Sequence, residues 1–119
     1  MAVSEDYLAF VQDQLSRLGE IRIRRMFGAA GVYCDGYFFA IVDDDILYFK
    51  VDDSNRRDYE AEGMGPFVYL VDGKETTMGY YEVPGDVLEN REKLNPWAMK
   101  AIRVAQSAKK KSRKKTGKK

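Results

Sequence analysis

Apolar residues recur at Tyr7, Phe10, Val11, Leu15 and Leu18, the spacing of one face of a helix. Ser4 stands ahead of them as an N-cap, and Glu5 and Asp6 fill the first turn, where the helix dipole favours anions. Gly19 is placed to end the helix in a left-handed residue, so the pattern predicts a helix over residues 4–18. Ile21-Arg22-Ile23-Arg24 then alternates with the period of a half-buried strand that runs toward a turn at Gly28. The densest apolar and aromatic stretch follows, between Arg24 and Val51. Its turn signal is Asp35-Gly36, because a tight hairpin turn needs positive φ and glycine accepts it without steric cost. Strands are expected over 31–34 and 37–42, and a third over 46–51 after the acidic turn Asp43-Asp44-Asp45.

The strand over 37–42 is apolar on both faces, and that over 46–51 nearly so. A strand with one wet face alternates. The second face of this meander therefore needs helices, long side chains or a partner to cover it. Beyond it the pattern predicts a short helix over 55–62, a strand over 67–71, a turn at Asp72-Gly73 and a strand over 76–83. Asp86 or Asn90 can cap a helical segment through Leu94. Asn95-Pro96 then reads as a cap followed by proline at the first position of a last helix. Trp97, Ala101, Ile102 and Ala105 share one face of that helix, with Trp97 as its core anchor. The expected fold class is α+β: an antiparallel sheet of five to six strands built from a meander and a hairpin. N-terminal and C-terminal helices pack mainly on one face.

Charge divides the chain. The stretch from Gln106 onward carries eight of the 20 Lys and Arg residues and no acid. The other 105 residues hold twelve basic side chains against all 19 acidic ones, a balance of −7. Past residue 108 no apolar side chain remains to bury, so one folded domain over 1–108 and a disordered tail over 109–119 are expected. A single cysteine permits no internal disulfide, the N-terminus lacks the order of a secretory signal, and no apolar run approaches a membrane span. A cytoplasmic location with no membrane contact is the expectation.

The composition restricts the chemistry further. Histidine is absent, which removes the commonest general base and every Ser-His or Cys-His pair. One cysteine excludes thiolate zinc sites, and Gly28-Ala29-Ala30-Gly31 has neither the spacing nor the following helix of a phosphate loop. Asp43-Asp44-Asp45 lacks calcium-loop spacing and reads as a solvated turn, and Cys34 as a small half-buried strand residue. No catalytic residue, metal or cofactor is assigned. Four residues stand out as candidate partner or anion contacts. Arg24 and Arg25 are adjacent in a strand and point to opposite faces, so one of them must pair, snorkel or stack. Tyr80 and Tyr81 likewise place one phenol on each face, one in the core and one for surface stacking. The candidate nucleic-acid contacts are Lys109, Lys110, Lys111, Arg113, Lys114, Lys115, Lys118 and Lys119. They suit a phosphate backbone with little sequence preference.

Several blocks in order resemble the TfoX N-terminal domain family, named for the TfoX/Sxy regulators of natural competence. They are Arg24-Arg25-Met26-Phe27-Gly28, Gly31-Val32-Tyr33 with Asp35-Gly36, Phe39-Ala40, and Leu47-Tyr48-Phe49-Lys50-Val51-Asp52. Met78-Gly79-Tyr80-Tyr81-Glu82-Val83-Pro84 and Trp97-Ala98 complete the set, and the resemblance covers roughly residues 4–106. It implies a compact α+β domain with an antiparallel sheet and flanking helices. The competence regulators it names carry a second, helical domain and act with a cyclic-AMP receptor protein at promoters. This sequence has a lysine-rich stretch instead, and no catalytic residues come with the family. The expectation is a non-enzymatic regulatory or adaptor domain, a transcription or competence co-regulator acting through protein contacts, with transcription machinery as the partner class. Weak, non-specific nucleic-acid binding through the tail is the alternative. An enzyme using Tyr, Arg and carboxylates in a cleft is the third reading. The chain is expected to be a monomer, or a homodimer joined through the second face of the meander.

Overall fold

Ser4 opens the fold as its position predicts: its hydroxyl accepts the Tyr7 N–H at 3.1 Å and caps α1 (Glu5–Leu15). The structure, a computed structural model, describes residues 3–26 and 28–117, and the side chains of residue 78 and residues 110–117 lie outside that description. After α1 come β1 (Ile21–Met26), β2 (Ala29–Cys34), β3 (Tyr37–Asp43) and β4 (Ile46–Lys50). The short α2 (Arg56–Ala61) leads to β5 (Pro66–Val71) and β6 (Lys74–Glu82), then α3 (Gly85–Leu88) and α4 (Arg91–Gly117). The six strands form one antiparallel sheet in the order β1-β2-β3-β4-β6-β5. The fold class is the expected α+β.

Three tight turns build the meander and hairpin. Asp35 and Gly36 both take positive φ, as do Asp44 and Asp45 (55° and 56°) and Asp72 and Gly73. Asp tolerates the left-handed region better than most side chains do. The acidic run 43–45 thus shapes a turn, and the Asp45 carboxylate also accepts the Ser4 N–H at 2.8 Å.

A bulge resolves the doubly apolar strand. Val32 pairs with Ala40 but Tyr33 with Phe38, so Phe39 is the extra residue. Bulged residues need not alternate faces, and consecutive Phe39 and Ala40 both enter the core while Phe38 lies on the other side. The core gathers Val32, Phe39, Leu47 and Phe49 from the sheet, Val11 and Leu15 from α1, and Leu94 and Ala98 from α4. Ala98, Ala101 and Ala105 let the α4 backbone approach β3 and β4 closely.

The Asn95-Pro96 expectation is corrected. The last helix begins at Arg91, and Pro96 lies inside it. Asn90 is the true cap: its side-chain oxygen accepts the N–H groups of Glu92 at 3.0 Å and Lys93 at 3.3 Å. Two satisfied donors there outweigh the one bond that proline removes close to the helix start. The α4 backbone continues to Gly117 through a run of good helix formers, for which extending a helix is easier than starting one. The expected disordered tail falls mostly on side chains outside the described residues. Among the described residues, no helix is long and apolar enough to cross a membrane.

Candidate functional site

Strand parity sorts the candidate residues. Arg25 pairs with Ala30, which is buried in the core, so its side chain lies on the helix-covered face. There Nη1 donates to the Val3 carbonyl at 3.1 Å and Nη2 to Glu5 at 3.3 Å, tying β1 to the start of α1. Arg24 pairs with Gly31 on the opposite face and has no ion pair or hydrogen bond among the described residues. Tyr81 pairs with Phe49 on the core face, its ring 5.8 Å from that of Tyr59. Tyr80 pairs with Lys50 on the Arg24 face. The four candidates thus divide two and two. Even on the shared face, Arg24 and Tyr80 sit on β1 and β6, four strand steps apart, which is about 19 Å.

An aromatic layer fills that distance. Phe38 is at its centre, stacked on Tyr33 at 5.0 Å and tilted against Tyr80 at 5.8 Å. Gly31 makes room beneath: a Cβ there would meet Met26 Cε at 2.7 Å and the Phe38 ring at 2.9 Å. Lys50 Nζ lies 4.9 Å over the Tyr80 ring. Farther along, Tyr48 meets Phe67 edge-on at 4.9 Å, and Phe67 stacks with Tyr69. Of the tyrosines assigned one to each face, the one outside the core is the more deeply covered: Tyr80 is 4% exposed, and burial, then Tyr33, pushes its pKa up to about 12. Tyr48 is also raised, by burial and then by Glu82. All four helices contribute to the core on the opposite side, through Val11, Tyr59, Val87 and Leu94, and among the described residues none lies over this face. Its rim carries Arg24, Lys50 and Arg22, the last held by Glu20 at 3.2 Å.

Two concavities lie elsewhere. One, of about 290 Å³, runs between α2 and α4 and contains the Lys100–Asp58 ion pair at 2.8 Å. The other, of about 340 Å³, lies by Arg17, Cys34, Met99 and Arg103. Neither is lined by Arg24, Arg25, Tyr80 or Tyr81. Cys34 is buried, and burial, then Asp35, raises its thiol pKa. No group of three or more Cys, Asp or Glu among the described residues is placed to hold a metal ion.

Of the lysine-rich stretch, Lys109 is described, with Nζ 5.4 Å over the Tyr37 ring. The side chains of Lys110, Lys111, Arg113, Lys114, Lys115, Lys118 and Lys119 lie outside the described residues. The sequence reading missed one surface. Val68, Tyr69, Leu70 and Val71 of β5 are all exposed, Leu70 at 69%. The signal was the uncharged run Phe67–Val71, which does not alternate as a strand with one buried face must.

The family model for the TfoX N-terminal domain matches residues 13–105. No curated protein matches the chain. A match over most of the sequence, together with the fold, places the chain in that family: it belongs to the TfoX N-terminal domain family.

Proposed function

We propose that this member of the TfoX N-terminal domain family is a non-enzymatic regulatory adaptor that works through protein contacts, in the manner of a transcription or competence co-regulator. The observation behind this reading is the sheet face of Tyr33, Phe38 and Tyr80, over which no helix packs and at whose rim Arg24 has no partner among the described residues. Aromatic rings and arginine are the side chains enriched at protein interfaces. A rigid sheet holds them in fixed register, and cations at the rim favour a partner with acidic groups around an apolar centre.

The test is capture by the immobilised chain, run in parallel with Arg24→Glu and with Arg57→Glu, an equal charge change on α2. A protein retained by the chain and by Arg57→Glu but lost by Arg24→Glu is the expected result. Equal capture by all three chains overturns the reading.

A second reading rests on the eight cations past Gln106. They bind nucleic acid without sequence preference, and each phosphate they neutralise adds about 0.9 to the steepness of log affinity against log salt. Removal of residues 109–119 abolishes both affinity and salt dependence if this reading holds. Unchanged binding by the shortened chain eliminates it.

A further inference from the structure

The turn end of the β5–β6 hairpin stands apart from the body. β6 pairs with β4 from Tyr80 to Glu82, with backbone bonds at Gly79 and Val83 on either side, and Lys74 to Thr77 pair with β5 alone. A two-stranded ribbon is marginal in water, and three or more strands are needed for independent stability. The outer strand of this ribbon is the edge of the whole sheet. Edge strands are ordinarily protected by charges, bulges or proline along their length. In β5 those devices are confined to its start, where Pro66 is the first residue and the register with β6 shifts between Pro66 and Val68; Phe67–Val71 beyond it carries no charge and no proline, and four of its five side chains are exposed.

The turn determines which backbone groups face outward. Val71 and Lys74 flank the two-residue turn Asp72-Gly73, whose residues both take positive φ. In such a hairpin the flanking pair exchanges hydrogen bonds, and bonded pairs recur at every second position. Val71 and Tyr69 therefore bond to β6. The N–H and C=O groups of Val68 and Leu70 point away from the sheet.

We propose that β5 pairs with β5 of a second copy of this chain, antiparallel about a two-fold axis at Tyr69. Val68 then exchanges hydrogen bonds with Leu70 of the other copy, and Leu70 with its Val68. Tyr69 faces its own counterpart at a closely spaced, non-bonded position, and Phe67 faces Val71. Every cross-strand pair is apolar, and no like charges meet, which is what makes the occupant a second copy. Each marginal ribbon becomes half of a four-stranded sheet. The exposed side chains offer on the order of 350 Å² per copy, below the usual half-interface of about 800 Å², so the dimer forms in a concentration-dependent way. The proposal goes beyond the adaptor reading, uses a different surface and does not depend on it.

Sedimentation equilibrium over a concentration series tests it, with Leu70→Pro and Leu70→Lys beside the unchanged chain. Proline at 70 removes an N–H that points to solvent in the monomer, so the fold tolerates it while the pairing does not. A reversible dimer weakened at least about tenfold in both variants is expected. Tyr69→Cys should form a disulfide-linked dimer on mild oxidation, whereas Thr77→Cys on β6 should not. A strict monomer at every concentration overturns the proposal, as does a dimer indifferent to both Leu70 variants or a foreign protein captured through β5 by a chain that stays monomeric. Equal capture by Arg24→Glu with the dimer intact is failure of the adaptor reading alone, and capture lost in Arg24→Glu by a chain that stays monomeric is failure of this proposal alone.

Discussion

The side-chain amide of Asn55 donates to the Lys50 carbonyl at 3.1 Å, and its oxygen accepts the Asp52 N–H at 2.9 Å. Asn55 is 2% exposed, so this one side chain closes the turn from the end of β4 into α2 where water cannot replace it. Asn55→Ala removes both bonds, from the part-buried Asp52 N–H and to the part-buried Lys50 carbonyl, at a total cost of about 1–3 kcal/mol. Urea unfolding should show a loss in that range with an unchanged denaturant slope.

Tyr59 presents the opposite case. Its ring meets Trp97 edge-on at 4.7 Å and packs against Tyr81, yet its buried hydroxyl has no hydrogen-bond partner among the described residues. Removing that hydroxyl relieves a desolvation cost and keeps the packing. Tyr59→Phe should be neutral or more stable by about 1 kcal/mol, whereas Tyr59→Ala, which opens a cavity, should lose about 3–5 kcal/mol. Thermal and urea midpoints measure both.

Much of this arrangement was legible in the order of residues, because local rules acted without competition. Ser4, the Asp-Gly turns and the opposite faces of Arg24 and Arg25 follow from capping, positive φ and strand parity. The bulge at Phe39 was not legible, since a one-residue slip leaves the apolar pattern of 37–42 unchanged. The start of α4 was misplaced because two adjacent cap signals, Asn90 and Asn95-Pro96, compete, and only the hydrogen bonds of Asn90 decide between them. Of the candidate site, the split of Arg24 from Arg25 and of Tyr80 from Tyr81 across the sheet was readable, but not which member of each pair faces the core. Nor was the dispersal of the site, because pattern alone does not say that β6 sits beside β4 with β5 outside it. That same strand order leaves β5 exposed.

Alkaline titration should divide the tyrosines. Burial, followed by Tyr33 for Tyr80 and Asp45 for Tyr7, raises both phenols to about 12, and burial raises Tyr59 as well. Unfolded tyrosine ionises near pH 10. Between that value and about 12 the folded chain holds protons that the unfolded chain has released, so stability falls as pH rises. The stabilising contribution is complete below pH ~10 and is lost through pH ~12. Phenolate absorbance should show delayed ionisation of these residues, released together on unfolding, and Tyr80→Phe should remove one such delayed step.

Cys34 should be silent toward thiol reagents in the native chain. It is buried, and its thiol pKa is raised by burial and then by Asp35, so both access and thiolate fraction are low. Reaction with an aromatic disulfide should be slow in buffer and immediate in denaturant. Asp35→Asn removes one of the two causes but leaves the burial, so it should accelerate the native reaction only slightly. Fast labelling of the native chain would contradict the placement of Cys34 in the core.

Arg24 and Arg25 should separate stability from binding. Arg25 holds the Val3 carbonyl and Glu5, joining β1 to the segment that leads into α1, while Arg24 stands at the rim of the aromatic face without a described partner. The Arg25–Glu5 contact is largely solvent-exposed, and exposed ion pairs contribute little, so most of the effect comes from the bond to the carbonyl. Arg25→Ala should therefore cost about 1 kcal/mol in urea unfolding and leave partner capture intact. Arg24→Ala should leave stability within about 0.5 kcal/mol and reduce capture. Adjacent residues of the same type, one strand position apart, then report on the two faces of one sheet. If both substitutions lowered stability alike and neither touched binding, the aromatic face would be a self-contained packing layer, and the proposed adaptor role would need another surface.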